Sequence, residues 1–495
     1  MNPEIFREYD IRGIAEKDLS DETALLIGKA YGTLIHNKFG AGAEIVVGRD
    51  NRISSPRIAK ALIEGILSCG VNVVFIGEIT TPMLYYAVNK LNKSGGISVT
   101  ASHNPPQYNG FKVMVGKEAI FGEKIQELRK IAEKENFVAG KKAAEKKFEA
   151  GKKTFALGEK KILRGRAEKF VASENSAEGR GTLREESIDE KYINEIASLV
   201  KVQKKLKVVV DAGNGMASEF APRLLEKIGC EVIRLYCVKD PSFPNHIPDP
   251  VQEKNSRDLM EKAVESKADL GIGFDGDVDR IGVVDEKGTL IYGDTLLGLL
   301  AEDLLEREKH AKIIFEVKCS QGLGEWIKEK GGKPIMWKTG HSLIKAKMRE
   351  EKALLAGEMS GHMFFTEKWY GFDDALLAAV KIIEIVSKQE KNLSELVARM
   401  PKYYSSPEYR VDFPEKEKFS FVEKAKKHFS AKYKAVTIDG VRVHFGRGWA
   451  LLRASNTQPK LILRFEGKTK QELESIKEKF LSEVESFSGK RLALE

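Results

Sequence analysis

Ser102 is the residue of this chain best placed by its neighbours to exchange a phosphate. It lies in Thr100-Ala101-Ser102-His103-Asn104-Pro105, directly after the apolar run of residues 95–99, which predicts a short strand leaving a glycine turn. Proline fixes its own backbone and restricts the residue before it, so Pro105 and Pro106 predict an abrupt loop. We therefore expect Ser102 on a rigid bend at a strand end, where reactive side chains are often displayed. An ordinary polar turn is the alternative for this segment taken alone.

Three aspartates occupy alternate positions in Asp275-Gly276-Asp277-Val278-Asp279-Arg280. Apolar runs on both sides predict strands, and side chains two residues apart fall on one side of an extended segment. Three like charges held so close repel each other unless a cation neutralises them. Because all the donors are oxygen atoms, the pattern favours Mg²⁺ or Ca²⁺ over Zn²⁺, and Arg280 adds a group that can grip phosphate. A solvated acidic turn is the alternative.

The aspartate spacing also resembles an EF-hand calcium loop, because Glu286 falls at the twelfth position counted from Asp275. That loop requires glycine where Arg280 stands, and it lies between helices. Since both flanks here are expected to be strands, we exclude the EF-hand.

Two further loops could bind a sugar and its phosphate. Gly357-Glu358-Met359-Ser360-Gly361-His362 places an acid and a hydroxyl two residues apart between glycines, a pair that can hydrogen-bond adjacent sugar hydroxyls. The second loop crowds four phosphate-compatible donors together, namely Arg453, Ser455, Asn456 and Thr457, and Arg464 follows eleven residues after Arg453. An ordinary polar loop is the alternative for each segment.

Together, the four segments resemble the motifs of the alpha-D-phosphohexomutase family, whose members move a phosphate between C1 and C6 of a hexose. Their order and separation span almost the whole chain. The loop of residues 357–362, preceded by Lys338-Thr339-Gly340-His341, is most similar to that of the phosphomannomutase/phosphoglucomutase branch. Phosphoglucosamine mutases carry a related loop and are the nearest alternative.

The resemblance implies roles for particular residues. It implies a metal site in which Asp275, Asp277, Asp279 and a phosphate oxygen on Ser102 bind Mg²⁺. The catalytic residues that it implies are Ser102, His103, Lys112, Arg280, His341 and His362. The substrate-binding residues that it implies are Tyr9, Arg12, Lys318, Glu358, Ser360, Arg453, Ser455, Asn456, Thr457 and Arg464. Which of Lys112, His341 and His362 acts as acid or base stays open.

The reaction implied by the resemblance uses phosphorylated Ser102 as the phosphate donor. A hexose 1- or 6-phosphate, of mannose or glucose, becomes a hexose 1,6-bisphosphate, which turns around and returns its other phosphate to Ser102. A magnesium-dependent sugar phosphatase would share the carboxylates but would need no anchor for a distal phosphate. A sugar-phosphate binder without activity would have no need to retain both Ser102 and the aspartates.

Composition predicts a cytoplasmic enzyme without a membrane partner. No apolar stretch approaches the ~20 residues needed to span a bilayer, and the first residues lack a signal-peptide core. The four cysteines are scattered without a Cys-x-x-Cys pair, which argues against zinc and fits a reducing compartment. We expect a monomer or a weak dimer.

The net charge of +9 arises mostly from one stretch, because residues 141–170 hold eleven Lys or Arg against four Glu. Residues 141–185 are interpreted as an insertion that forms a solvated, partly helical surface excursion. No nucleic-acid partner is expected, although the basic insertion leaves that possibility open.

A strand, a helix, a glycine and a second strand recur three times, beginning near residues 44, 207 and 312. This alternation predicts an α/β fold with three related mixed α/β domains, followed by a C-terminal α+β domain. The expected ranges are 1–140, 186–290, 291–400 and 401–495. The family resemblance implies a central cleft at which each domain contributes one motif loop.

Overall fold

The computed structural model describes residues 1–139, 179–456 and 458–494. Each predicted strand–helix–strand repeat is present, as β2–α3–β3, β8–α7–β9 and β13–α10–β14, and the two strands of each repeat pair in parallel. Since strands alternate with helices in three mixed sheets and a fourth sheet is antiparallel, the predicted α/β fold class is confirmed.

The first domain is built on a sheet with strand order β1-β5-β4-β2-β3-β7, with β6 paired to β5. Its first long helix begins after Ser20, whose side chain accepts a hydrogen bond from the Thr23 N–H and so caps the helix. The elements of this domain are a 3₁₀ turn Pro3–Ile5, β1 Ile11–Ile14, α1 Ala15–Asp18, α2 Asp21–Phe39, β2 Glu44–Arg49, α3 Ser55–Ser68, β3 Asn72–Glu78, α4 Thr81–Lys90, β4 Gly95–Val99, β5 Tyr108–Val115, β6 Glu118–Ala119, α5 Glu123–Lys134 and β7 Leu183–Glu185.

Strand β7 corrects one predicted boundary. The predicted insertion includes residues 183–185, yet these residues pair in parallel with β3, and the Gly181 N–H donates to the Leu67 carbonyl. The chain therefore returns to the first sheet before it enters the second domain. The rest of the predicted insertion, up to residue 178, lies outside the described residues.

The second domain has strand order β12-β11-β10-β8-β9, in which β8, β9 and β10 are parallel and β11 runs antiparallel to β10. The hairpin between β10 and β11 carries the aspartate cluster. The elements are α6 Asp189–Ser198, β8 Lys207–Asp211, α7 Ala217–Lys227, β9 Glu231–Leu235, α8 Glu253–Glu265, β10 Leu270–Phe274, β11 Ile281–Asp285 and β12 Leu290–Ile291.

The third domain has strand order β14-β13-β15-β16. The glutamate–serine loop connects the antiparallel strands β15 and β16. The elements are α9 Gly293–Arg307, β13 Lys312–Glu316, α10 Gln321–Glu329, β14 Lys333–Trp337, α11 His341–Glu351, β15 Leu355–Gly357, β16 Met363–Phe365, α12 Ala375–Ser387 and α13 Leu393–Val397.

The fourth domain is an antiparallel sheet with strand order β17-β22-β21-β20-β19, with β18 paired to β22, and helices α14 and α15 cover it. The predicted helix near residues 470–487 is α15. The elements are β17 Tyr404–Ser405, β18 Tyr409–Asp412, α14 Lys418–Lys432, β19 Ala435–Val436, β20 Val441–Phe445, β21 Gly448–Ala454, β22 Lys460–Gly467 and α15 Lys470–Ser488.

The hydrophobic cores join the first three domains, and a small separate cluster of Val317, Trp449 and Leu451 joins the third domain to the fourth. One continuous cluster of buried side chains includes Tyr85, Val208, Leu297 and Ile383, which belong to the first three domains. The fourth domain has its own cluster. Within the described parts of the chain, every helix is too short or too polar to cross a bilayer.

Candidate active site

A cavity of about 720 Å³ lies where the four domains meet. The motif loops converge there although they are far apart in the sequence. The predicted residues that line it are Tyr9, Arg12, Ser102, His103, Lys112, Asp279, Arg280, Lys318, His341, Glu358, Ser360, His362, Arg453, Ser455 and Asn456. Asp275 and Asp277 are fully buried and contact the lining residues Ser102 and Lys112.

Ser102 lies on a tight bend just beyond β4, in the left-handed region of backbone conformation at φ 51°. Its hydroxyl donates to Asp275 Oδ2 at 2.6 Å, and its Oγ lies 3.1 Å from His103 Nδ1. Strained backbone of this kind persists only where surrounding contacts hold it. The serine hydroxyl therefore has a fixed position against the aspartate cluster.

Arg52 is the residue that holds this bend, and the sequence analysis missed it. Its buried guanidinium donates to the carbonyls of Ser102 at 2.7 Å, Asn104 at 2.6 Å and Pro105 at 2.7 Å. Asp50 receives the Arg52 Nε–H at 3.1 Å. An arginine fifty residues before the loop carries no local sequence signal for this role.

The aspartate cluster lies on a curled loop, so the prediction that these residues form an extended segment is wrong. Val278 has φ 67°, and the Asp279 and Arg280 N–H groups donate to Asp275 Oδ1 at 3.0 and 3.1 Å. The loop wraps around the Asp275 carboxylate. Carboxylate oxygens of Asp275, Asp277 and Asp279 lie within 4.8 Å of one another as a result, and all three residues are fully buried.

Lys112 partly neutralises the three carboxylates. Its Nζ donates to Asp277 Oδ2 at 2.7 Å and contacts Asp279 Oδ2. Burial alone would lower the Lys112 pKa, but the charges of Asp277 and Asp279 outweigh it and hold that pKa well above the ordinary value. Burial raises the Asp275 pKa well above its ordinary value, and the neighbouring Asp279 and Asp277 charges add to this rise. One ammonium is therefore not enough to stabilise three charges.

The donor atoms of this cluster fit a hard divalent cation. Asp277 Oδ1 and Asp279 Oδ1 are buried and have no hydrogen-bond partner, and the cluster offers only oxygen atoms. Glu286 instead binds Ser394, accepting its N–H at 3.2 Å, and both flanks of the loop are strands. The exclusion of an EF-hand is confirmed.

Two histidines are stacked on the wall contributed by the third domain. The rings of His341 and His362 are 5.6 Å apart at 22°. Burial lowers the His341 pKa well below the ordinary value, and the ammonium of Lys345 lowers it further, so His341 is neutral at neutral pH. Burial and the nearby Arg280 likewise lower the pKa of His103. The cavity thus offers neutral imidazoles as candidate proton acceptors.

The glutamate–serine loop faces the same cavity. The Glu358 carboxylate accepts the Gly340 N–H at 2.6 Å, which ties this loop to the start of helix α11. Ser360 lies beside it on the lining. With one oxygen engaged by backbone, the other Glu358 oxygen and the Ser360 hydroxyl can meet sugar hydroxyls.

Tyr9 of the first domain contacts both the third and the fourth domain at the cavity wall. The Tyr9 hydroxyl donates to the Thr339 carbonyl at 2.8 Å and accepts from Asn456 Nδ2 at 2.6 Å. Arg453, at the end of β21, is oriented by Asp439, 3.0 Å from its Nε. The Asp439 charge outweighs burial and raises the Arg453 pKa, so this guanidinium stays charged.

Two predicted substrate ligands are not among the described residues that line the cavity. Arg464 does not line the cavity; its guanidinium donates to the Lys318 carbonyl and lies over the Trp449 ring, with 5.9 Å from Cζ to the ring centroid. This contact holds the fourth domain against the third, and the role of Arg464 as a substrate ligand stays a prediction. Thr457 lies outside the described residues.

Some lining and supporting residues lay outside the predicted set. Arg7, Asn104, Glu408 and Arg410 line the cavity, and Asp373 and Lys345 lie behind the histidines. Asp373 and Asp374 stand just before an apolar run in the sequence. Because acidic residues commonly precede helices, this pair could have been recognised as the start of a helix. Arg410 lies on an ordinary edge strand and had no such signal.

Four family descriptions match successive parts of this chain. They are phosphoglucomutase/phosphomannomutase alpha/beta/alpha domain I over residues 3–139, domain II over 190–288, domain III over 292–404, and the C-terminal domain over 408–483. The chain belongs to the phosphoglucomutase/phosphomannomutase family. It is accordingly an enzyme, an isomerase of the phosphohexomutase kind.

Relatives match over nearly the full length. The chain is 43% identical over 484 residues to a phosphomannomutase/phosphoglucomutase of Pseudomonas aeruginosa, covering 97% of this chain and 96% of that protein. It is 41% identical over 486 residues to a phosphoglucomutase of Neisseria gonorrhoeae, covering 98% and 97%. A crystal structure of a family protein from Burkholderia thailandensis superposes with a TM-score of 0.87 at 37% identity and covers 99% of each chain.

Proposed function

We propose that this enzyme moves a phosphate between C1 and C6 of mannose or glucose phosphate, with Ser102 as the phosphate carrier. The observation that carries the proposal is the position of Ser102 Oγ, 2.6 Å from Asp275 in the three-carboxylate cluster and on the same cavity as the cationic wall of Arg453. A carrier at one wall and an anchor at another are what a migrating phosphate requires.

Phosphoryl transfer is mainly a matter of positioning and of neutralising charge. In the first half-reaction the P–O bond to Ser102 breaks as a bond forms from phosphorus to sugar O1 or O6, and that sugar hydroxyl gives up its proton. In the second, the P–O bond at the other end of the sugar breaks, the phosphate returns to Ser102 Oγ, and the freed sugar oxygen takes up a proton. Arg52 keeps the carrier still through its hydrogen bonds to the Ser102 and Asn104 carbonyls. Because the bend cannot relax, the serine oxygen is presented in the same place to both ends of the sugar.

The charged residues around the carrier stabilise the transferring group. Asp275, Asp277 and Asp279 would hold Mg²⁺, which when bound neutralises charge on the phosphoryl oxygens. Arg280 and Lys112, both on the cavity wall, add fixed positive charge. Lys112 is held as an ammonium by its carboxylate partners and serves as a charge. His341 is left as the candidate proton acceptor, because His362 Nε2 already accepts a hydrogen bond from Arg280.

The sugar must turn around, so its distal phosphate needs an anchor that accepts either end. Arg453, Ser455 and Asn456 form a cluster of donors on the wall of the fourth domain. Glu358 and Ser360 meet the hydroxyls between the two phosphates. The hexose 1,6-bisphosphate is thereby retained during the turn and also serves as the activator that primes Ser102.

The experiment is to load the enzyme with glucose 1,6-bisphosphate and to locate the phosphate by mass spectrometry of peptides. We expect one phosphate on Ser102, and Ser102→Ala should lose most turnover while glucose 1-phosphate binds within about threefold, because only the carrier is removed. Ser68→Ala, at an exposed helix position, is the matched control and should retain activity. Phosphate found on another residue would overturn the assignment.

A second measurement separates the proposed mutase from the alternatives. Mannose, glucose and glucosamine 1-phosphates should be compared as substrates, with release of inorganic phosphate followed in parallel. We expect mannose and glucose phosphates to be isomerised with little phosphate release. Faster turnover of glucosamine phosphate would indicate a phosphoglucosamine mutase, and stoichiometric phosphate release would indicate a phosphatase.

We place this reaction in the cytoplasm. The cysteines of the described residues are free thiols, and three of them, Cys69, Cys230 and Cys319, are buried, which suits a reducing compartment.

A further inference from the structure

The buried carboxylate of Asp373 lies behind the histidine pair, and the proposed mechanism gives it no role. Asp373 is fully buried just before helix α12. Its Oδ2 lies 3.0 Å from His362 Nδ1, and its Oδ1 accepts from Lys345 Nζ at 2.8 Å. Burial would raise the Asp373 pKa, but the Lys345 ammonium outweighs it and holds that pKa well below its ordinary value, so this group is a carboxylate. Its neighbours are therefore one ammonium and two imidazoles, since His341 Nδ1 also lies 3.9 Å from its Oδ2.

The other side of the His362 ring decides which of its nitrogens carries the proton. Arg280 Nε–H donates to His362 Nε2 at 3.0 Å. A guanidinium can only donate, so Nε2 must accept with its lone pair and the proton must be on Nδ1. Nδ1 lies 3.0 Å from Asp373 Oδ2 and 3.7 Å from Asp279 Oδ1. Neither Nδ1 nor Asp373 Oδ2 has a partner with hydrogen-bond geometry, so it is the nearby negative charge of Asp373 that favours a proton on Nδ1. The two partners therefore agree on a single tautomer.

We propose that Asp373, itself oriented by Lys345, is a positioning residue that fixes the tautomer and ring orientation of His362 and thereby the placement of Arg280 at the cavity. The inference rests on the proposed function in one respect, that Arg280 meets the transferring phosphate. A carboxylate that orients an imidazole in this way commonly sets what the second ring nitrogen can do.

The same atoms could be taken for a second cation site, because Asp279, His362 and Asp373 offer ligand atoms within 4.8 Å of one another. The Lys345 ammonium argues against it, because it lies 2.8 Å from Asp373 and already neutralises that carboxylate. A further cation there would meet the repulsion of this ammonium in a buried place.

Asp373→Asn tests the tautomer, because an amide has one accepting and one donating end. Lys345 is a donor, so the Asn carbonyl oxygen should face Lys345 and its NH₂ should face His362 Nδ1. His362 would then have to carry its proton on Nε2, where it opposes the Arg280 Nε–H. We expect kcat to fall by about 100-fold or more, in line with the loss seen when an orienting carboxylate is replaced by its amide, while KM changes by less than about threefold.

The tautomer itself can be read by nitrogen NMR on protein labelled with ¹⁵N-histidine, since the chain has only eight histidines. The spectrum of His362→Gln identifies the His362 signals. We expect a protonated Nδ1 in the wild-type enzyme and a protonated Nε2 in Asp373→Asn. A wild-type His362 protonated on Nε2 would overturn the proposal without any variant having to fold.

A compensating change distinguishes positioning from a purely structural role. In Asp373→Asn/Lys345→Gln, the Gln oxygen can accept from the Asn NH₂, so that the Asn carbonyl turns to His362 Nδ1. We expect the Nδ1 proton to return and kcat to recover at least about tenfold over Asp373→Asn. Lys345→Gln alone is the control and should keep the wild-type tautomer.

The outcomes separate the two proposals. A fall in kcat with an unchanged tautomer, or no recovery in the double variant despite a restored tautomer, would overturn the role of Asp373. Wild-type enzyme without mutase turnover but with the Nδ1 tautomer would count against the proposed function and leave the orientation of His362 intact.

Discussion

At the scale of single residues, the site is governed by how buried charge is balanced. Asp275, Asp277 and Asp279 are fully buried together, a costly arrangement without cations. Lys112 supplies one positive charge directly, and two carboxylate oxygens remain without hydrogen-bond partners. This imbalance is the physical reason to expect a divalent ion.

Asp277→Asn should weaken Mg²⁺ binding and turnover together, because one of three negative charges around the cation is lost. We expect the apparent affinity for Mg²⁺ to fall by about tenfold or more. Calorimetric titration with Mg²⁺ and activity at graded Mg²⁺ concentrations would measure both. Asp285→Asn, a buried aspartate at the far end of β11 that binds backbone N–H groups, is the matched control. Full turnover in excess chelator would rule the metal site out.

At the scale of elements, the start of helix α11 sets the distance between two domains. Gly340, directly before this helix, has φ 133°, and a Cβ atom there would lie 2.5 Å from Tyr9 Cζ. The absence of a side chain lets the Tyr9 ring pack against the backbone and reach the Thr339 carbonyl and Asn456. One glycine thus allows the first, third and fourth domains to meet at the cavity.

Gly340→Ala should displace Tyr9 and raise KM for hexose phosphates by roughly tenfold, the effect of losing well-aligned hydrogen bonds. The strain of a positive φ should also lower stability by about 1 kcal/mol. Gly331→Ala is the control, since Gly331 has φ 88° with no atom within 4 Å of a Cβ atom, so it reports strain alone. Steady-state kinetics and thermal unfolding would be measured for both. An unchanged KM in Gly340→Ala would contradict the packing argument.

At the scale of the whole molecule, the cavity requires all four domains, yet they are joined unequally. The first three share one large hydrophobic cluster, whereas the fourth has its own core and shares a small cluster of Val317, Trp449 and Leu451 with the third. The fourth is held to the third by buried arginines, with Arg442 donating to the Val317 carbonyl at 2.7 Å and Arg464 donating to the Lys318 carbonyl. The proposed distal anchor therefore belongs to a domain whose main hydrophobic core is its own.

Arg453→Ala should weaken the reaction by similar factors in both directions, because the anchor grips whichever phosphate is distal. A charge-assisted contact of about 1.5–3 kcal/mol corresponds to a loss of roughly 10- to 150-fold in kcat/KM. Both directions would be assayed with mannose and glucose phosphates. Exposed Arg447, which binds Glu472 at 2.9 Å, provides the control variant Arg447→Ala. Loss in one direction only would require a different anchor.

Glu358→Gln should behave differently from Arg453→Ala. The amide can still accept the Gly340 N–H, so the loop should keep its place, but the charge that meets sugar hydroxyls is lost. We expect the preference between mannose and glucose phosphates to change more than the rate on the better substrate. Equal loss on both sugars would indicate that Glu358 does not distinguish them.

The sequence alone determined the strand–helix repeats, the bend at Ser102 and the grouping of four motif loops in one family. These follow from local rules, since apolar periodicity and proline act on neighbouring residues. Only the tertiary structure decided that the aspartate loop curls around Asp275, that Arg464 joins two domains, and that Arg52 and Asp373 hold the reactive residues. Arg52 reaches Ser102 across fifty positions of the chain. Such partnerships depend on how separate sheets and helices pack, and no short stretch of sequence encodes that packing.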